Sequence, residues 1–558
     1  MSTEPHTSQS KPLSGIALWA PALAATISSY SLMGDSAMFS IAQTQIMKDF
    51  GIQIGLIQFA LILVQVVGGP FALIAGRLSD VRGKRRIFLI GAALFGLGQL
   101  LTGLAPNIYV LILGYSLLRG IAINMVITSS MGLMVHTYRD SKTRGQAFGL
   151  YGVAVVVAGV LPSLYMGASV DYLSWRLPFI LHALLFAGAF LMVWRLVDEA
   201  PLEKGQRVDG TGAMLAYLAL VPLLLSPTLA RQYGWVTARR PFFIGDVQFN
   251  PLGLSPVAIL LLLGVILSLI MFWWLERKEA RGGQPLFRPS VFQDMNFTGA
   301  IASITVFYML ASAYPFILNN FLQGYAGWSA LSVSLVLIAL AITSLISGPP
   351  SGRLLERFAP KHVLQGSFVI VIIGILWMVA NVTSLDVGPW AFIGPFLVLG
   401  LGFGVIGSQM NNIALLFIPP HRASEASGIL ELGKDIGLAL GVAVIGSLMV
   451  ATTLGSTVDG ILKVSGVAVT PEERQALIIE LEDAQAQFDQ TAFQKALQAL
   501  PPDVQDDVVS VLRQAPVDGF RTALVGLIGA VVLAILITLI MPTTRPSIEK
   551  PLEGGSSP

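Results

Sequence analysis

Five charged side chains lie in or beside runs of residues that offer them no water. Asp35 follows twenty positions rich in Ala, Ile, Leu and Ser. Arg119 sits inside Leu117-Leu118-Arg119-Gly120-Ile121. Glu431, Lys434 and Asp435 stand together ahead of an apolar run that ends near 452. A charge in the middle of a hydrocarbon layer costs roughly 2.5–3.5 kcal/mol on insertion scales, so such groups pair, neutralise or face a cavity. The chemistry open to them is ion pairing and proton exchange. Ser28, Ser31 and Asp35 recur at i, i+3 and i+7, on one helical face. That face predicts an Asp35 turned to a cavity, as a proton carrier or as the partner of a cationic substrate. Glu431 and Lys434, three apart, pair on one face. They form either a self-neutralising structural cluster or, with Asp435, a second titrating site.

Other chemistries find little support. The chain has no cysteine and five histidines, and no nucleophile–base constellation or metal-ligand cluster is visible. Gly428-x4-Gly433-Lys434 mimics a phosphate loop, but Asp435 stands where Ser or Thr is required and no strand precedes it. The reading is therefore of a protein that is no enzyme, has no ATPase engine and uses no cofactor. A net charge of +2 gives no reason to expect a nucleic-acid partner.

The elements that must hold these residues are membrane spans. Of the 558 residues, 54% are hydrophobic and only 12% charged, with a mean hydropathy of +0.73; a soluble domain carries roughly 25% charged residues. Runs of the about 20 apolar residues needed to cross a bilayer lie near 15–46, 54–76, 87–105, 108–134, 146–170 and 176–196. Two more lie near 211–229 and 253–275, and six near 297–320, 328–349, 363–382, 387–418, 425–452 and 520–541. This predicts an all-α integral membrane protein of about fourteen helices. A tail (1–14) precedes a six-helix half (15–196). A linker with two inserted helices (197–296), a second half (297–541) and a tail (542–558) follow. Positive charge collects on the cytoplasmic side. Placing both termini inside puts the Arg77–Arg86 loop inside, with Arg139, Lys142, Arg144, Arg277, Lys278, Arg281, Arg288, Arg353, Arg357 and Lys361; the loop at 230–252 is the exception. The expected location is the inner (cytoplasmic) membrane, in contact with the lipid bilayer.

Two loops echo each other. Gly76-Arg77-Leu78-Ser79-Asp80-Val81-Arg82-Gly83-Lys84-Arg85-Arg86 leaves the second span, and Gly352-Arg353-Leu354-Leu355-Glu356-Arg357 leaves the tenth. Gly76 permits close helix approach, Gly83 a tight turn, and Asp80 among arginines a charge lock on an inner gate. The first loop matches the major facilitator signature G-x-L-x-D-x-x-G-(R/K)-(R/K). Gly34-Asp35 with Ala42 resembles that family's first-helix motif, though Ala37, Ser40 and Thr44 depart from it. Gly159-Val160-Leu161-Pro162 with Gly167, then Ser174-Trp175-Arg176-Leu177-Pro178-Phe179, resembles its antiporter motif with the paired glycines out of register. Arg119 stands one helical turn from the usual arginine place, held here by Ser116. With Asp209-Gly210, Tyr233-Gly234-Trp235 and Pro285-Leu286-Phe287, the chain resembles the fourteen-helix drug:proton antiporter branch of the major facilitator superfamily. The resemblance implies two six-helix halves that alternate access, small amphiphilic or cationic substrates, and protons as the driving partner. A dedicated exporter of one metabolite, siderophore or lipid is the alternative on the same fold, and a non-transporting sensor or assembly factor the alternative of another class.

One polar segment, 455–518, interrupts the second half. Thr470-Pro471-Glu472-Glu473 is a capping box with proline at the first helical position. It predicts one helix as far as Pro501-Pro502 and a second, shorter one from Val504. A cap on the outer mouth is the plain reading of this helical hairpin. A substrate gate, or a dock for a periplasmic adaptor or outer-membrane channel, is the other.

Overall fold

Lipid offers no hydrogen bonds to an exposed backbone, so apolar runs of this length satisfy themselves as helices. The computed structural model describes residues 16–52, 54–200, 207–239, 241–244, 247–248, 251–416, 418–419, 422–486 and 501–541. Helices α1 (Ile16–Phe50), α2 (Ile54–Arg82), α3 (Lys84–Gly103), α4 (Ile108–Thr137), α5 (Ser141–Tyr172) and α6 (Arg176–Leu196) form the first group. Next come α7 (Gly210–Tyr233) and α8 (Pro256–Ala280), with a small β-hairpin between them, β1 (Phe243–Ile244) paired antiparallel to β2 (Val247–Gln248). The second group is α9 (Met295–Tyr325), α10 (Ala330–Ser347), α11 (Pro360–Asn381), α12 (Trp390–Leu415), α13 (Ala423–Ser465), α14 (Pro471–Ala486) and α15 (Pro502–Thr538). Among the described residues, twelve helices are long and apolar enough to cross a membrane. Helices α1 and α5 are of comparable length and pack along each other within the bundle.

The inserted pair sits on the first group. Leu223 of α7 fills the space over Gly264 of α8, and the Tyr217 hydroxyl donates to the Val67 carbonyl of α2 at 2.9 Å. Its outer helix turns Leu262, Val265, Ile266, Leu269 and Trp273 outward, as a lipid-facing surface must.

The segment 455–518 departs from expectation. Helix α13 runs on to Ser465, and a helix opens at Pro502. Proline at the first helical position costs no hydrogen bond, and Pro516, a helix breaker by type, lies inside the helix without ending it. The expected second helix and the expected span at 520–541 are therefore one element, α15, 37 residues long. The capping box forms as read: Thr470 Oγ1 accepts from the Glu473 amide at 3.3 Å, and Glu473 Oε2 accepts from the Thr470 amide at 2.8 Å. The remainder of the first hairpin helix, 487–500, and the tails 1–14 and 542–558 lie outside the described residues.

The two groups meet tightly at the end that carries the loop motifs. A Cβ on Gly76 would come within 2.4 Å of the Ser424 carbonyl oxygen, and one on Gly428 within 2.6 Å of that of Ala72, so α2 and α13 touch backbone to backbone. The second contact is built alike: a Cβ on Gly152 of α5 would lie 2.4 Å from Ser408 Cα on α12, and Gly145 abuts Gly352 just past α10. Small residues at such crossings allow the approach that dispersion rewards. The Ser79 and Ser424 hydroxyls are 3.4 Å apart across the first contact. In this cysteine-free chain, the pair Ser79→Cys/Ser424→Cys is expected to cross-link readily under oxidant in native membranes. Adding Gly76→Val should suppress the cross-link, which gel mobility reads directly.

Candidate functional site

The central group is built around Asp35. Helix α1 buries Ser28, Ser31 and Asp35 together, as their shared face predicts, but the carboxylate is completely enclosed and faces no open cavity. Its partners come from three other helices. Arg119 Nε of α4 donates to Oδ2 at 3.1 Å, Gln99 Nε2 of α3 donates to the same oxygen, and His182 Nδ1 of α6 lies 2.5 Å from Oδ1. Tyr115 Oη donates to the Asp35 backbone carbonyl at 3.3 Å, and its ring carries the Arg119 guanidinium 4.9 Å from its centroid. Local sequence makes this possible. The turn Ile112–Leu118 is wound as a π-helix immediately before Arg119, a distortion frequent at functional sites. Gly98 and Gly114 bring α3 and α4 into backbone contact beside it, and Gly34 leaves room for Pro162 of α5, whose Cγ would lie 2.7 Å from a Cβ there.

A second group lies on α13. Lys434 is fully buried; its ammonium donates to Glu431 Oε1 and, at 3.0 Å, to Tyr151 Oη of α5. It also lies 5.5 Å from the ring centroids of Tyr151 and Tyr308. The i, i+3 pair thus joins the two halves. Asp435 is half-buried on the same helix, with Oδ2 3.8 Å from where a Gly69 Cβ would stand, and is close enough to Arg119 for the two charges to interact.

The third group closes the end with the loop motif. Asp80 Oδ1 takes Lys84 Nζ at 2.5 Å, and Oδ2 accepts the Glu425 backbone amide in the first turn of α13 at 2.7 Å. A carboxylate at a helix N-terminus is favoured by the unpaired amides and the dipole there. Glu425 in turn faces Arg77 at 3.6 Å and Arg422 at 3.3 Å, and accepts the Arg288 amide at 2.9 Å. Breaking this lock separates a carboxylate from a helix end and an arginine from an acid at once.

A family model described as Major Facilitator Superfamily matches residues 23–293 and 296–469. The chain belongs to the Major Facilitator Superfamily. It is similar to the multidrug resistance protein Stp of Mycobacterium tuberculosis, 24% identical over 417 residues covering 75% of this chain and 73% of that protein. It is also similar to a probable actinorhodin transporter of Streptomyces coelicolor, 23% identical over 542 residues covering 93% and 90%. The crystal structure of the human organic anion transporter MFSD10 (TETRAN) shares the fold, with a TM-score of 0.51 at 14% identity over 94% of this chain and 98% of that one. This facilitator is thus a multi-pass membrane protein of a family of transporters, not of enzymes.

Several sequence expectations change. Asp80 is not locked by arginines: its partners are a lysine and a backbone amide. Arg82 is exposed, and Arg85 turns away to the Trp194 carbonyl of α6 at 2.5 Å, so neither joins the contact around Asp80. Gly83, at φ +105, instead admits Glu199, whose carboxylate accepts the Arg85 and Arg86 amides at 2.9 Å each. In the echo loop, Gly352 makes its close contact, but Arg353, Glu356 and Arg357 are exposed, and Arg353 and Glu356 line a cavity of about 310 Å³ with Lys142 and Gln146. The echo repeats the glycine without a buried acid. Pro162 packs on Gly34; a Cβ on Gly167 would meet open space, so it is no contact glycine, and the surroundings of Gly159 lie outside the described residues.

Sequence reasoning missed His182, Gln99, Tyr165, Glu199 and Glu425. His182 carried a signal, a histidine in the middle of an apolar span, which marks function by default in a membrane. For the α13 pair, Lys434→Met should destabilise the protein by about 3–5 kcal/mol, because a buried acid loses its counter-ion. The double variant Glu431→Gln/Lys434→Met should recover most of that loss in thermal unfolding in detergent.

Proposed function

We propose that this facilitator is a proton-coupled exporter of small amphiphilic or cationic compounds, working by alternating access between its two halves. The observation that carries the reading is the charge balance of the two central groups, around Asp35 and on α13. Three acids, Asp35, Glu431 and Asp435, stand against two bases, Arg119 and Lys434, on helices that cross the protein. With all five ionised, one negative charge is in excess. A proton or a cationic substrate neutralises it, and the two compete, which is the thermodynamic requirement of antiport.

In this reading Asp35 with Arg119 is the coupling centre, and Asp435, half-buried and within Arg119's field, is the acid that meets substrate. In the same reading the Asp80–Glu425 lock is the inner gate, both termini are cytoplasmic and the α14 segment is outside. There that segment caps the mouth or receives a periplasmic adaptor. The similarity to proteins named for multidrug resistance and for actinorhodin transport supports export as the direction.

The test uses inverted membrane vesicles with an imposed proton gradient and ethidium. Accumulation that an uncoupler abolishes is expected. Asp35→Asn, which keeps shape and deletes the charge, should lower it about 100-fold, the low end of what a positioned proton-transfer group contributes. No accumulation by folded, inserted protein would reject multidrug antiport in favour of a narrow-substrate exporter. Normal accumulation by Asp35→Asn would remove Asp35 from the mechanism.

A further inference from the structure

A coupling acid must exchange its proton with water, yet Asp35 is fully enclosed. Following each of its contacts to its end shows where a proton can travel. Arg119 and Gln99 on Oδ2 are themselves buried, and neither a guanidinium nor an amide releases a proton in this range. Arg119 Nη2 and Gln99 Oε1 have no protein partner to pass one to. Tyr115, on the backbone carbonyl, is 1% exposed. All three are dead ends.

Oδ1 is different. It meets His182 Nδ1 at 2.5 Å, and His182 Nε2 meets Tyr165 Oη at 2.5 Å. Tyr30 Oη then donates to Tyr165 Oη at 3.3 Å, and both tyrosines are half-buried, reaching accessible space. Met38 Sδ, 3.2 Å from Tyr165 Oη, is a weak acceptor and a side branch. Among the described residues this is the one continuous hydrogen-bonded route from Asp35 outward. We propose that His182 is the proton relay of this transporter, passing protons between the enclosed Asp35 carboxyl and the hydroxyls of Tyr165 and Tyr30. The proposal rests on the coupling role of Asp35 argued above.

The charges fix the working state of the ring. The groups that face it are Asp35 and Tyr30 from α1 and Tyr165 from α5, with Arg119 and Tyr115 from α4 and the neutral Gln99 from α3 behind the carboxylate. Asp35 and Arg119 already balance, so a neutral imidazole leaves no net charge buried. Its Nδ1–H donates to Asp35 Oδ1, and its Nε2 accepts from Tyr165 Oη. A proton moving inward breaks the Tyr165 O–H and forms the Nε2–H bond, while the Nδ1–H bond breaks and an O–H forms on Asp35. Tyr165 regains its proton from Tyr30, which regains its own from water. The imidazole ends neutral in its other tautomer, and the reverse transfers release the proton.

The relay is tested in purified protein by infrared spectroscopy after a jump from alkaline to acidic pH, following the Asp35 carboxyl band, identified by its loss in Asp35→Asn. His182→Gln and Tyr165→Phe are each expected to slow its appearance about 100-fold, the low end for a positioned acid–base group, with the final amplitude unchanged. Tyr165→Phe keeps the His182–Asp35 contact and decides the matter if His182→Gln does not fold. Rates equal to wild type overturn the relay. A folded variant that loses the band's amplitude also overturns it, since His182 would then set the charge of Asp35 without carrying its proton. A wild-type protein with no Asp35-dependent band sinks the coupling role itself, a different result from a fast variant.

Discussion

An ion pair sealed inside a membrane protein is the constraint on which this structure depends. Taking Asp35 and Arg119 out of water costs several kcal/mol per ion, and their mutual attraction offsets that only with good geometry and filled hydrogen-bond sites. The surroundings supply both for the carboxylate. Gln99 and His182 occupy the remaining positions on the carboxylate, and the Tyr115 ring lies against the guanidinium. Small residues let four helices converge on the pair: Gly98 against Gly114, and Gly34 against Pro162. The π-wound turn before Arg119 belongs to the same arrangement. A pair held this tightly stays put until its charge changes, which is the property a proton switch needs.

The closed end follows a similar logic with weaker forces. Backbone contact through Gly76 and Gly428 brings α2 and α13 together, and Asp80 then reaches the amides that open α13. Several bonds in this lock are lost together when the halves separate. The Lys434–Tyr151 bond crosses between the same halves nearer the core. A change of charge at the centre therefore acts on groups that already span the interface along which the protein opens.

Much of the architecture was legible because hydropathy and period report on burial in lipid directly. The order of the helices, the loop motif and the i, i+3 pair of Glu431 and Lys434 all follow from local sequence. What was not legible depended on residues distant in the chain. Asp35 and His182 are separated by 147 positions, and nothing near Leu181-His182-Ala183 names its partner. Nothing in the sequence around Glu425 names Arg77 or Asp80 as its neighbours. Gly83 was read as a turn residue, yet its lack of a side chain also opens the site that Glu199 fills. The echo loop shows the opposite limit: Glu356 matches Asp80 in pattern and differs from it in burial.

In the proposed mechanism substrate and proton compete for one interior charge. The most direct test is to add ethidium to concentrated, weakly buffered purified protein and record proton release. Release by the wild-type protein, abolished in Asp35→Asn while ethidium still binds, is the predicted result. Equal release by both proteins, or binding with no release over the pH range in which transport occurs, would contradict it.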